Sequence, residues 1–203
     1  DASAACTTQA AFIQFFGVGS ILWTAHLSVF ILAALSAKRY TAVRLPFIVT
    51  ILATAALLSI TAALGRLGPA TLWCWITESS QVDLLQLLMF YVPLVVAWCT
   101  SLTCVILVRR EVGRRLETTR RLDPLGVDVQ EEVARNVTRQ MSRYLLVFVV
   151  SFFPGLLNRA MNTILHMTNP NAPPVYALSL LHALIVPLQG AGNAVVYGDV
   201  YGR

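Results

Sequence analysis

The chain is short of charge. Only 12% of its 203 residues are Asp, Glu, Lys or Arg, where a soluble domain carries about 25%. No acidic residue falls inside any of its long apolar stretches. Proton- and sodium-coupled transporters usually keep carboxylates there, so their lack counts against that class. There is no HExxH zinc motif and no GxSxG nucleophile turn, so neither of those hydrolytic chemistries is indicated. No enzyme, cofactor or metal site is expected. Internal repeats and low-complexity tracts are also missing, as is any signal-peptide pattern before the first apolar run. The chain opens on Asp1 and not on Met, and reads as a piece of something longer.

What is abundant is hydrophobicity, at 57% of residues. It collects in five runs, at about 8–35, 43–64, 84–108, 144–167 and 175–197. Each has the roughly 20 residues a helix needs to cross about 30 Å of hydrocarbon. None alternates polar and apolar as barrel strands do. The expected fold is all-α, a single transmembrane helical bundle over residues 1–203 with a long polar loop at 109–143.

Lys and Arg set the orientation. Thirteen of the fifteen lie in the first link, the third link or the tail. Basic loops stay in the cytoplasm, so the N-terminal end is expected outside and the C-terminal end inside, in the plasma membrane. Because the basic residues flank apolar runs, they read as orientation signals that touch membrane lipid, and nucleic acid is not expected as a partner. Asn136-Val137-Thr138 matches a glycosylation sequon but falls in a cytoplasmic link, where it should stay unmodified.

Cys6 and Cys74 both lie at the outer side, where an oxidising compartment permits a bridge between them. Cys99 and Cys104 fall within the third run and read as packing residues. Gly17 and Gly19 read as a helix-contact face.

Polar residues inside the apolar runs are the candidate site. Asn158, Asn162 and His166 recur at i, i+4 and i+8, and Arg159 stands beside them, about 10 Å of helix below the outer end. They form either one wall of a ligand pocket, with Arg159 meeting an anionic or carbonyl group, or a stripe in which Arg159 snorkels to the headgroups. Pro154, one turn below, is either a hinge or a static kink. His182, Gln189, Asn193 and Tyr197 make a second stripe, with Pro187 breaking the helix beside Gln189. That stripe is either a water-linked network or ordinary interhelical bonding. Gln9, Gln14 and His26 are pocket-lining or interhelical in the same sense.

CTTQAAFIQFF (6–16) with LWT (22–24), LWCWI (72–76), FYVPL (90–94), FFPGLLNR (152–159) and PLQGAGNAVVYG (187–198) occur in that order. The set resembles helices three to seven of the cyclic-AMP-type seven-helix receptors. The resemblance implies five helices of seven, a Cys6–Cys74 bridge to the second extracellular loop, an extracellular small ligand with cyclic AMP as one candidate, and coupling to a heterotrimeric G protein. Lys38-Arg39-Tyr40 stands where many other seven-helix receptors carry an acidic-Arg-Tyr triplet, so no ionic latch is implied. The alternative class is a transporter or a structural multi-span protein, which should show pseudo-symmetric repeats.

The third link predicts two cytoplasmic helical extensions around a turn at Asp123-Pro124-Leu125-Gly126, with Asp128 as cap of the second. Lys38 and Arg39, together with the stripe Arg135, Arg139 and Arg143, are the expected G-protein contact.

Overall fold

The computed structural model describes residues 3–35, 44–70, 73–77, 83–122, 127–168 and 176–201. Lys38 and Arg39 fall outside them, as do the side chains of His166 and Tyr197. The described elements form an all-α bundle with one small hairpin. Helix α1 (Ala4–Leu35) is followed by α2 (Arg44–Ala63), strands β1 (Leu67–Pro69) and β2 (Cys74–Ile76), a short α3 (Asp83–Gln86), a π turn (Leu87–Tyr91), α4 (Val92–Leu122), α5 (Val127–Thr168), α6 (Tyr176–Ile185) and α7 (Leu188–Tyr201).

Among the described residues, three helices are long and apolar enough to cross a bilayer: Ala4–Leu35, Leu84–Thr118 and Arg135–Asn162. Tyr176–Ile185 and Leu188–Val196 qualify together as one span bent by 44°. Phe47–Ala63 is apolar but shorter. The outer surface is apolar as well. Leu52, Val96, Leu146, Leu184 and Val195 are all exposed, which suits hydrocarbon rather than water. The protein is an integral membrane protein.

Helix α1 is the hub, packed against α2, α4 and the hairpin. Gly17 brings its backbone close to the π turn, since a Cβ there would lie 3.3 Å from the Phe90 ring. His26 is bonded to Thr50 of α2. It therefore joins helices, the second of the two roles open to it. Helix α2 ends in a Schellman cap. Gly65 takes φ +61°, its N–H donates to Ala62 O, and the Arg66 N–H donates to Thr61 O.

The hairpin was not expected, because its strands have three residues each. It pairs Leu67 with Ile76 and Pro69 with Cys74. The Cys6–Cys74 disulfide is present, closing 68 residues of sequence. It fixes the hairpin against the start of α1. Of the other two cysteines, Cys104 is buried as expected, whereas Cys99 is exposed on the outer face of α4.

Of the third link, the two helical extensions are present, and the turn expected at Asp123-Pro124-Leu125-Gly126 lies outside the described residues. Helix α4 runs to Leu122 and α5 starts at Val127. Asp128 thus sits in the first turn of α5 and is not its cap. Pro154 lies inside α5 without ending it, while α6 stops at Ile185 and α7 restarts at Leu188, on either side of Val186 and Pro187.

Candidate functional site

Proline at 93 shapes the outer half of the bundle. It has no N–H, so the Met89 carbonyl one turn earlier loses its helical donor. The chain answers with the π turn, in which the Val92 N–H reaches back to Leu87 O. Gln14 of α1 fills the gap: its Nε2 donates to Met89 O at 3.2 Å. Its Oε1 accepts from Trp75 Nε1 at 2.9 Å. Gln14 is 1% exposed, so it ties α1, the π turn and the hairpin at a single buried point. The extra residue of the π turn also lets the consecutive Phe90 and Tyr91 both face the core.

These constraints build an aromatic wall. Trp75 meets Phe90 edge-to-face at 5.1 Å, and Phe90 lies 6.0 Å from Phe152 of α5. Trp73 meets the His182 ring of α6 at 5.7 Å. Around them is a cavity of about 620 Å³, within the range of small-molecule sites. Gln9, Ser20, His182 and Gln189 supply its polar lining, and the aromatics with Ile13, Val186 and Pro187 supply most of the rest. At the α5 wall Gly155 is required by space. A Cβ there would sit 2.4 Å from His182 Cε1.

Below it is a smaller cavity of about 180 Å³, lined among others by Trp23, Ser28, Tyr144, Phe148 and Asn193. Gln189 borders both cavities and its Nε2 donates to Ser20 Oγ at 3.4 Å. The second polar stripe therefore runs from the upper cavity, at His182, to the lower one, at Asn193.

The first stripe is placed differently. Asn158 Nδ2 donates to Ser179 Oγ of α6 at 3.0 Å, and Asn162 Nδ2 donates to Asn158 Oδ1 at 3.2 Å. These residues zip α5 to α6. Arg159 is half-buried and does not line the 620 Å³ cavity. Of the expected ligand residues, His182 is on the cavity wall, Gln14 is directly behind it, and Asn158 and Asn162 are in the neighbouring seam. The aromatic wall was missed. The alternation Trp73-Cys74-Trp75 was its one local signal, since residues i and i+2 of an extended segment fall on one face.

The family described as "Slime mold cyclic AMP receptor" matches residues 1–193. The chain belongs to that family. Among curated proteins, "Cyclic AMP receptor-like protein A" of Dictyostelium discoideum is 26% identical over 136 residues, covering 67% of this chain and 30% of that protein. This member of the cyclic AMP receptor family thus spans about a third of the length of the relative it matches. No solved structure matches it significantly.

Proposed function

We propose that this chain is the signalling core of a G-protein-coupled receptor. A small extracellular ligand occupies the 620 Å³ cavity, and a heterotrimeric G protein binds at the opposite end. The reading takes α2 as a fifth span, since its 20 residues give about 30 Å of helix. It places the start of α1 outside and the C-terminal end in the cytoplasm of a plasma-membrane protein. The disulfide supports that orientation, because bridges persist in oxidising compartments, and so does the basic third link.

The observation that carries the proposal is the cavity itself, walled by aromatics at the bridged end of a bundle from a receptor family. Its indole and phenyl faces suit a flat heterocycle, and Gln9 and His182 offer polar contacts. Cyclic AMP, in the name of the relative and of the family, is the first ligand to test. Arg159 is four residues beyond Gly155, about 6 Å along α5 toward the outside. With Asn158, Asn162 and His166 it is assigned to the outer rim, where it meets the ligand's anionic group.

Transmission follows the second stripe. Gln189 touches both cavities; the break at Pro187 lets α7 turn, and Pro154, which removes one backbone bond inside α5, is the point about which the lower half of α5 turns. A ligand that draws His182 and Gln189 upward moves Asn193 and Tyr197 with them. The cytoplasmic ends of α4 and α5, with Lys38, Arg39 and the stripe Arg135, Arg139 and Arg143, take the G protein.

Cells expressing the receptor are challenged with cyclic nucleotides, and G-protein activation is recorded. A response lost in Arg159→Ala at near-normal surface expression supports the reading. A normal response in that variant returns Arg159 to snorkelling, and no response to any member of the panel by the unaltered receptor removes cyclic nucleotides as ligands.

A further inference from the structure

Where α4 and α5 leave the apolar layer, a groove of about 550 Å³ opens between them. Arg109 lines it from α4, and Arg135, Thr138, Arg139, Ser142 and Arg143 line it from α5. Among the described residues, none of the lining side chains is acidic. Arg109 Nη2 donates to Ser142 Oγ at 2.9 Å, which ties the two helices across the floor. Glu131, one turn further along α5, is bonded to Arg135.

The direction in which the groove faces decides what it holds. Val105 and Val108 of α4 and Met141 and Phe148 of α5 are buried, and they mark the sides turned into the bundle, while Val112 closes the inner edge of the groove. The arginines are on other faces. Arg135, Arg139 and Arg143 continue at spacings of three and four into Leu146, Val150 and Phe153, which are 62%, 51% and 51% exposed. On α4, the exposed Leu102 and Ile106 lead to Arg109 at the same spacing. Each helix therefore carries one outward stripe that is apolar at membrane depth and basic at its end. The groove opens sideways, at the level where hydrocarbon gives way to headgroups.

We propose that this groove binds a membrane lipid whose headgroup carries more than one phosphate, with its acyl chains lying along Leu102, Ile106, Leu146 and Val150. Guanidinium groups bind phosphate through paired charge-assisted bonds. Arginines held on two helices suit an anion with two phosphate groups better than one with a single group. Basic pockets between spanning helices on the cytoplasmic side are suited to such headgroups. A soluble phosphate would leave the apolar stripe unused, and an acidic segment of a partner protein would meet the groove only from the side. The bound lipid bridges α4 and α5 and so sets how far their ends separate. The proposal uses the orientation given above only to name the leaflet, and its test needs neither receptor ligand nor G protein.

The full receptor is placed in phosphatidylcholine nanodiscs with a fluorescent phosphatidylinositol bisphosphate, and binding is titrated. Each arginine is worth about fivefold, the equivalent of about 1 kcal/mol per basic side chain at a membrane surface. The variant Arg109→Gln/Arg139→Gln/Arg143→Gln is expected to bind on the order of 100-fold more weakly. The charge-matched variant Arg110→Gln/Arg114→Gln/Arg115→Gln, which leaves the groove intact, should bind as the parent does. If the triple variant fails to fold, the exposed Arg139→Gln alone should lose about fivefold. Phosphatidylserine, soluble inositol trisphosphate and inorganic phosphate serve as competitors, and all should compete poorly. Equal affinity of the groove variant and the parent would overturn the proposal. Competition by inositol trisphosphate or phosphate as strong as by the lipid would reassign the groove to a soluble anion.

Discussion

Gly155 and His182 offer a test in which the sign of the effect changes. Replacing Gly155 by Ala adds a methyl group 2.4 Å from His182 Cε1 and 2.6 Å from Nδ1, far inside the roughly 3.5–4.0 Å of a comfortable contact. The imidazole has to leave its place beside Trp73, an overpacking that costs about 1–3 kcal/mol. Against this stands the gain of about 1 kcal/mol from replacing glycine within a helix. The net change is a loss of about 1 kcal/mol, or about 2–4 °C in thermal midpoint for a chain of this length. In a His182→Ala background the obstruction is gone, and the same Gly155→Ala change should stabilise by about 1 kcal/mol. Thermal unfolding of the four proteins of the cycle in one detergent measures the difference between backgrounds, expected at 1–3 kcal/mol as for residues in contact. The same shift in both backgrounds would refute the packing argument. It would also remove the reason for glycine after Pro154.

Breaking the bridge with Cys74→Ser should cost about 4 kcal/mol in the chain-entropy account for a closure of 68 residues. Mass spectrometry of non-reduced peptides should find Cys6 and Cys74 linked in the parent, and free thiols at both positions would sink the assignment. Gln14→Leu fills similar space but orphans Met89 O and Trp75 Nε1. Each orphan costs about 1–3 kcal/mol, so the variant should melt well below the parent, and a melting point equal to the parent's would show that the buried bonds contribute little.

The helices were legible because a bilayer imposes length and apolarity on every crossing segment; of the five runs, three fold as single helices of that length among the described residues, a fourth only as a bent pair, and the helix Phe47–Ala63 is shorter. The cysteine pair was legible for a related reason, since topology put both sulfurs on one side. Asn158 and Asn162 were read correctly as sharing a helix face. Which helix they would meet was not readable, because Ser179 gives no sign in the sequence that it accepts from Asn158. The cavity wall was hidden for the same reason. Phe16, Trp75, Phe90 and Phe152 come from separate elements, and each alone resembles a lipid-facing aromatic. The hairpin escaped notice because Gly68 and Pro69 signal a turn more strongly than three residues signal a strand. The π turn escaped because the effect of Pro93 falls on a carbonyl four residues earlier, and its partner, Gln14, is 75 positions away.

That π turn amounts to one residue inserted into an otherwise regular helix. Removing a single residue between Leu87 and Tyr91 would let the helix close as α, with the faces above and below still in register. Gln86 would keep its bond to Ile76 O, and Leu94 and Ala97 would keep their burial. What would go is one of the two adjacent inward aromatics, together with the backbone position that Gln14 supports. A homologue one residue shorter here would align with this chain across a trivial gap and still present a different pocket, so in comparing members of the family the length of this helix carries information that residue identity does not.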